Sequence, residues 1–268
     1  MNRYLLLATV QDRLAMVGPC LQSIREFLPG WTPVVVAQEY TETDRATVQQ
    51  ALPGATVLVL PKRCGPHNAK LFGLRHIDAL ERSNYVVCSI DDDMEFIDQT
   101  NLEPCVRKAL DPSIGFVSAG WVKHETHLIK RKPVEQFIKQ PIVYTGGGMI
   151  FDRKTAKVVL RIPEGAYFCD NSEWSLAAYL AGFTNYRYRG SLTIHRICSK
   201  GGRQGWVDLG EKQIPDPRFL RMKVGKLVNK LNNYLVGDSR DLTPEAHATH
   251  QSNASRHTVY LSGLSRRP

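Results

Sequence analysis

The chain has 268 residues, of which 43% are apolar and 23% are charged, which is typical of a globular protein with a well-filled core. No apolar run reaches the roughly 18 residues of a membrane span, so we expect no transmembrane segment. The formal net charge of +9 indicates an anionic partner such as nucleic acid, a phosphorylated ligand or an anionic membrane surface, unless it serves solubility alone.

The first half of the chain alternates between short apolar runs and amphipathic stretches. Strands are predicted at residues 4–10, 33–37, 56–60 and 85–90, and helices at 17–28, 44–52 and 67–80. Pro19 is expected near the start of the first helix. Such alternation is typical of a mainly parallel sheet with helices on both faces, in which ligands bind above the carboxyl ends of the strands.

The second half of the chain is less regular. Further elements are predicted at residues 102–110 (helix), 114–118 (strand), 149–151 (strand), 174–180 (helix) and 186–195 (strand). Three glycines, Gly146, Gly147 and Gly148, precede the strand at 149–151. They indicate either a close approach of the backbone to a ligand or a tight turn between two strands.

Three consecutive acids, Asp91, Asp92 and Asp93, directly follow the apolar strand at 85–90. Adjacent carboxylates repel one another and raise each other's pKa, so they need a cation, hydrogen-bond donors or full solvation. Oxygen ligands suit Mg²⁺ or Mn²⁺. The triplet therefore indicates either a metal site or a solvated junction between strand and loop.

Six cysteines are scattered along the chain without any C-x-x-C spacing, and Cys88 falls inside a predicted buried strand. This distribution is typical of reduced thiols. We therefore expect a cytoplasmic protein.

The order of these features resembles the glycosyltransferases of the GT-A fold, in particular the family 2-like enzymes that use nucleotide-diphosphate sugars. The resemblance covers roughly residues 4–200, and it depends on the Asp-x-Asp match at Asp91 to Asp93, the acid pair Asp170 and Glu173, and His195 after a late strand. It implies a Rossmann-like α/β fold, a bound Mn²⁺ or Mg²⁺ ion and a nucleotide-sugar donor, with a UDP-sugar as the first expectation.

The resemblance also implies roles for particular residues. Metal contact is expected from Asp93 first, and also from Asp91 and His195, although a lone histidine is otherwise often structural. Contact with the nucleotide or its sugar is expected from Thr9, Gln11, Gln38, Glu39, Asn68, Lys70, Asp91, Asp92, Gly147 and Gly148. In such enzymes the metal stabilises the diphosphate leaving group as negative charge builds on it.

The acidic signature of this family is matched only in altered form, by Asp170-Asn171-Ser172-Glu173. Asn171 stands where the family has its second acid, so Asp170 or Glu173 has to be the base. We expect Asp170 to deprotonate the acceptor hydroxyl and Glu173 to orient the acceptor or the sugar. By analogy with the family, transfer is expected to invert the anomeric carbon. Capping of the helix N-terminus is the alternative role for one of these acids.

The expected organisation is a catalytic domain at residues 1–200, a basic loop and helix at 201–237 that pack on it, and a polar, flexible tail at 238–268. From residue 196 to residue 240 the chain has ten Lys and Arg but four Asp and Glu. This charge favours a nucleic-acid acceptor, such as a hydroxymethylated base in DNA. A lipid-linked or polysaccharide acceptor, reached by peripheral contact with a membrane, is the alternative.

Two other functions fit parts of the pattern. Nucleotidyltransferases use a similar sheet with metal-bound carboxylates, but they usually have a glycine-rich signature after the first strand, which is absent here. A non-enzymatic nucleic-acid-binding domain would explain the basic charge, although no zinc-finger, RNA-recognition or helix-turn-helix signature occurs.

Overall fold

The computed structural model of the chain describes residues 1–122, 128, 133–143, 147–162 and 170–196, with the side chains of residues 170–172 excepted. The strands are β1 (Asn2–Val10), β2 (Thr32–Gln38), β3 (Thr56–Leu60), β4 (Tyr85–Asp91), β5 (Met94–Glu95), β6 (Ile114–Val122), β7 (Phe137–Lys139), β8 (Met149–Asp152) and β9 (Thr184–His195). The helices are α1 (Leu14–Phe27), α2 (Glu42–Ala51), α3 (Gly65–Leu80), α4 (Glu103–Ala109), α5 (Arg153–Val159) and α6 (Asp170–Leu180). The predicted segments 201–237 and 238–268 lie outside the described residues.

The strands form one sheet in the order β3-β2-β1-β4-β8-β6-β9-β5, with β7 paired to β9. Strands β3, β2, β1 and β4 are parallel, as the alternating pattern predicts. The remainder is mixed, because β8 runs antiparallel to both β4 and β6, whereas β6 and β9 are parallel. The predicted α/β fold with a helix-covered central sheet is confirmed.

Strand β4 is buried on both faces of the central sheet. Its Val86, Cys88 and Ile90 side chains pack in the core beneath α1, α2 and α4, whereas Tyr85 and Val87 pack in the core with α3, α5 and α6. A strand that is buried on both sides needs an unbroken apolar sequence, which is what residues 85–90 provide. Complete burial of each such side chain contributes about 1.5–3 kcal/mol.

Two features of the sheet bring polar residues to one edge. The ladders pair Ala8 with Asp91 and Val10 with Gln38, so β1, β2 and β4 all end at this edge. The antiparallel pairing of β5 with β9 sets Met94 opposite His195. Residues that are about 100 positions apart in sequence therefore meet at the carboxyl ends of the central strands.

Strand β9 contains an irregularity just before it reaches this edge. Tyr188 pairs with Ala119 of β6, but the next β6 residue, Gly120, pairs with Leu192. Residues 189–191 therefore form a bulge of three extra residues in β9.

Several local predictions differ from the structure. Helix α1 begins at Leu14, directly after a 3₁₀ turn at Gln11–Arg13, so Pro19 lies inside the helix rather than near its start. Helix α2 begins two residues earlier than predicted, because Thr41 and Asp44 form a capping box. Strands β5 and β7 and helix α5 were not predicted, since segments of two to seven residues are too short to show a hydrophobic period.

Four of the six cysteines fall within the described residues, and all four are thiols rather than disulfides: Cys20, Cys64, Cys88 and Cys105. Each helix that the structure describes is too short or too polar to cross a membrane.

Gly147 packs directly on the backbone of β6. A Cβ atom at this position would lie 1.8 Å from the carbonyl oxygen of Ala119. We expect Gly147→Ala to lower the free energy of unfolding by about 1–3 kcal/mol or more in urea titrations, because backbone atoms have to move. Gly30→Ala is the matched control, since no atom of the described residues lies within 4 Å of its new Cβ. Equal stability of the two variants would contradict this packing.

Candidate active site

Three side chains converge at the carboxyl end of β4: Asp91, Asp93 and His195. One potential ligand atom from each lies within 4.8 Å of the others. The Nε2 atom of His195 is 3.0 Å from Oδ1 of Asp93 and 3.7 Å from Oδ2 of Asp91. All three side chains are partly exposed, so a ligand can reach them. The structure thus brings together the three residues that were predicted to bind a metal, and they offer oxygen and imidazole ligands.

The two carboxylates of this cluster act on the protonation of His195. Burial disfavours the charged imidazolium, but the hydrogen bond with Asp93 and the negative charges of Asp91 and Asp93 outweigh it. The pKa of His195 is therefore raised above its ordinary value. A cation that binds the ring nitrogen has to displace this proton.

Lys70 compensates the charge of Asp91 at the carboxylate oxygen that does not face His195. Its Nζ atom lies 2.8 Å from Oδ1 of Asp91, and its side chain is only 1% exposed. Lys70 comes from the first turns of α3, where the Asn68 side chain donates a hydrogen bond to the carbonyl oxygen of Cys64, 2.8 Å away. The predicted residues of this helix start therefore lie at the same edge as the carboxylates.

Asp92, the middle acid of the triplet, is buried and is not part of the cluster of potential metal ligands. Its Oδ2 atom accepts hydrogen bonds from Nε of Arg13 at 2.7 Å and from the Thr9 hydroxyl at 3.0 Å. Its Oδ1 atom accepts from Nη2 of Arg13 at 2.6 Å. The Tyr40 hydroxyl, whose pKa burial raises to about 12, donates to Thr9. Asp92 and Thr9 are thus engaged with the protein itself, although both were predicted to contact the donor.

Gln38 joins the ends of β1 and β2 to the start of α3. It is completely buried, and its Nε2 atom donates to the carbonyl oxygen of Thr9 at 3.3 Å. Its Oε1 atom accepts from the backbone N–H of Cys64 at 2.8 Å. Amide groups that are buried in this way keep their hydrogen bonds because losing them leaves unpaired polar atoms. Gln38 therefore has a clear structural function at the site edge.

Glu39 and Gln11 lie on the exposed side of this edge. Glu39 has a positive φ of 61°, which is uncommon for a residue other than glycine, and its carboxylate binds the Arg63 guanidinium. Gln11 donates a hydrogen bond to Asp44, 3.3 Å away. Both side chains are exposed, and their contact with a nucleotide stays a prediction.

The predicted glycine turn has a structural explanation. Gly147 lies against Ala119 as described above, and Gly148 has a φ of +80°, with Sγ of Cys88 2.8 Å from where its Cβ would be. Both glycines are thus required by strand packing and backbone conformation. Gly146 lies outside the described residues.

The acid pair begins α6. Asp170 is the first residue of this helix, and its side chain lies outside the described residues. Glu173 is one-third exposed, and its Oε2 atom lies 3.5 Å from Nδ1 of His67 in α3. His67 is completely buried and packs edge-on against Trp174. Glu173 is therefore located where α3 and α6 meet.

Three residues in this region were not among the predicted site residues: Arg13, Tyr40 and His67. Arg13 follows Gln11 and Asp12, and such a polar run is typical of a surface turn. For Arg13 the only signal was indirect: three adjacent acids that become buried need cationic partners from elsewhere in the chain.

A family model described as Glycosyl transferase family 2 matches residues 8–169, which is more than half of the chain and includes the acid triplet. The chain therefore belongs to glycosyl transferase family 2. It is a glycosyltransferase with the GT-A fold, as its resemblance to this family implied.

Solved structures share the fold at low sequence identity. A mannosyltransferase from Pyrobaculum calidifontis, in complex with GDP-Man and Mn²⁺, is 15% identical with a TM-score of 0.59, over 98% of this chain and 79% of that chain. GalNAc-T7 with UDP, GalNAc and Mn²⁺ is 12% identical with a TM-score of 0.55, over 75% and 44% of the two chains. S. aureus TarS residues 1–349 is 13% identical with a TM-score of 0.53, over 72% and 59%.

The present chain spans less than two thirds of the GalNAc-T7 and TarS chains that it matches. At 12–15% identity these likenesses show the fold alone. No curated protein sequence shows a significant match to the chain.

Proposed function

We propose that this glycosyltransferase moves a sugar from a nucleotide-diphosphate sugar, with a UDP-sugar as the first candidate, and that Asp91, Asp93 and His195 hold Mn²⁺ or Mg²⁺. The observation that carries this proposal is the convergence of their ligand atoms within 4.8 Å. Two carboxylates and one imidazole are a donor set that suits Mn²⁺. The presence of Mn²⁺ in two structures of the same fold supports the choice of ion.

Each side chain has a distinct proposed task. Asp93 contacts the metal directly, and Asp91 also faces the ribose or the sugar of the donor. A bound divalent ion would stabilise the negative charge that develops on the leaving diphosphate. Lys70 adds a fixed positive charge beside Asp91, and such a charge in a buried position acts strongly on a nearby phosphate. The other donor contacts that we propose are Gln11, Glu39 and Asn68, which are at least partly exposed. The donor contacts predicted for Thr9, Gln38, Asp92, Gly147 and Gly148 are not part of this proposal, because these residues are buried and packed against or bonded to other parts of the protein.

The metal site is tested by thermal unfolding with UDP, GDP, CDP and TDP, each with and without Mn²⁺. At least one nucleotide should raise the Tm by roughly 5–10 °C at a hundredfold excess over its Kd, and only when Mn²⁺ is present. Asp93→Asn should remove this shift because it removes a metal ligand. Asp98→Asn, which changes an exposed acid on the following loop, should retain it. The absence of any metal-dependent shift in the wild-type protein would refute the proposal.

We further propose that an acid at the start of α6 is the general base. Asp170 would accept the proton of the acceptor hydroxyl, while Glu173 would orient the acceptor or the sugar. The position of Glu173 beside His67, at the junction of α3 and α6, supports a polar site at this end of the helix. A base on the face opposite the leaving diphosphate would invert the anomeric carbon, by the geometric logic of inverting glycosidases.

The two acids can be distinguished by kinetics. Asp170→Asn should lower kcat by roughly 10²–10⁴-fold, as expected for the loss of a general base, whereas Glu173→Gln should raise KM more than it lowers kcat. Neither change should alter the nucleotide-dependent Tm shift, which serves as the control for folding and donor binding. If Glu173→Gln lowers kcat more than Asp170→Asn does, the two roles have to be exchanged.

For the acceptor we propose an anionic molecule, and specifically a hydroxymethylated base in DNA. The support is the net charge of +9 and the excess of basic residues between positions 196 and 240. A duplex substrate would have to present its target base outside the stack. A lipid-linked acceptor at an anionic membrane is the second candidate, favoured by the same charge.

The acceptor is tested by binding to DNA at increasing salt. Affinity should fall steeply between 50 and 200 mM NaCl, because phosphate contacts release counterions. The double variant Lys223→Gln/Lys226→Gln should reduce the salt slope by about 2, whereas Lys139→Gln on β7 should leave it nearly unchanged. Salt-independent DNA binding, or retention on anionic vesicles but not on DNA, would contradict a DNA acceptor.

A further inference from the structure

We propose that Arg13 is a positioning residue of the metal site, and that it acts through Asp92, which is not itself a ligand. This inference rests on the proposed metal function of Asp91, Asp93 and His195. Arg13 lies in the turn between β1 and α1, and its side chain is 4% exposed. The guanidinium binds both carboxylate oxygens of Asp92, at 2.6 and 2.7 Å.

The geometry of the chain explains why holding Asp92 orients its neighbours. Asp92 and Asp93 form the two-residue turn between β4 and β5, so the direction of the Asp93 carboxylate depends on the contacts that hold this turn. Arg13 and the Thr9 hydroxyl fix Asp92 on the inner side. With the turn held in this way, the carboxylates of Asp91 and Asp93 both lie within reach of the same imidazole nitrogen of His195.

Arg13 also acts on the charge of the cluster. It neutralises the buried acid of the triplet, Asp92, and its Nη2 atom lies 3.6 Å from Oδ2 of Asp93. The guanidinium therefore reduces the repulsion between Asp93 and Asp91 before any cation is bound. A lysine would keep this charge but could not bridge both oxygens of Asp92, because its ammonium is a single point of contact.

Stability alone is a weak explanation for this ion pair. Two buried charges lose their hydration, and well-packed apolar residues often stabilise a core equally well. A bidentate pair supplies directional hydrogen bonds that apolar residues cannot supply. The pair is therefore best explained by the geometry that it imposes on residues 91–93.

The test compares Arg13→Lys with Arg3→Lys in the full chain. Arg3 forms a similar bidentate pair with Glu103, at 2.8 and 3.0 Å, but near the opposite end of β1 and partly exposed. Arg13→Lys should weaken Mn²⁺ binding, measured by calorimetry on folded protein without nucleotide, by about 10- to 100-fold. Arg3→Lys should bind Mn²⁺ like the wild type. Equal Mn²⁺ affinities for the two folded variants would overturn the proposal.

A second readout does not depend on metal. The backbone N–H of Arg196 donates to the carbonyl oxygen of Asp93 at 2.9 Å, and that of Phe96 donates to the Ser23 hydroxyl at 3.1 Å. Amide hydrogen exchange at these two positions should be at least about threefold faster in Arg13→Lys, whereas exchange in β2 should not change. Unchanged exchange at both amides would overturn the positioning role, even if the wild-type protein bound no Mn²⁺ and the proposed function failed.

A milder variant covers the case in which Arg13→Lys does not fold. Thr9→Val is nearly isosteric and removes one of the three hydrogen bonds to Asp92. It should weaken Mn²⁺ binding in the same direction by a smaller factor and accelerate exchange at Arg196. Thr47→Val, which removes the exposed hydrogen bond to the carbonyl oxygen of Thr43, is the matched control and should change neither quantity. Wild-type behaviour of Thr9→Val in both measurements would overturn the proposal.

Discussion

The mutual repulsion of three consecutive carboxylates is the constraint on which the site depends. Each acid is offset by a different basic group: Asp91 by Lys70, Asp92 by Arg13 and Asp93 by His195. Lys70 and Arg13 are buried, so solvent screens these contacts little. Of the three side-chain types, only imidazole has an unperturbed pKa near neutral pH. A cation that binds the cluster would replace the proton of His195 and would leave the contacts of Lys70 and Arg13 in place.

The partners of the triplet come from distant parts of the chain, and the sheet is what brings them together. Arg13 follows β1, which is paired in parallel with β4. Lys70 is carried by α3, which packs on the same central strands. His195 reaches the triplet because the two-residue strand β5 pairs with the end of β9. Parallel strands that end at one edge thus collect side chains from three separate segments, which is the general basis of ligand sites in α/β sheets.

The sequence predicted the strands before the triplet, the convergence of Asp91, Asp93 and His195, and the family. The strands have strong local signals, namely unbroken apolar runs with polar residues at their ends. The convergence of His195 with the two acids was implied by the resemblance to the family. The inward orientation of Asp92 could not be predicted, because it depends on a guanidinium that is distant in sequence. Gly147 and Gly148 were interpreted either as a close approach of the backbone to a ligand or as a tight turn between strands. The contact of Gly147 with β6 and the positive φ of Gly148 depend on the folded chain and could not be predicted. The helix α5 was missed because its seven residues show no clear period.

The three-residue bulge at 189–191 determines which face of the sheet each later residue of β9 occupies. Because side chains alternate along a strand, an odd number of extra residues moves every later residue to the other face. The face that would otherwise carry Ile194 therefore carries His195 at the ladder position opposite Met94. Length changes in this bulge are consequently not equivalent. With the ladder before the bulge unchanged, one added residue would set Ile194 opposite Met94 and one removed residue would set Arg196 there, whereas changes of two residues would preserve the alternation. The side chain that joins Asp91 and Asp93 thus depends on the number of residues in the bulge as well as on the residue type at position 195.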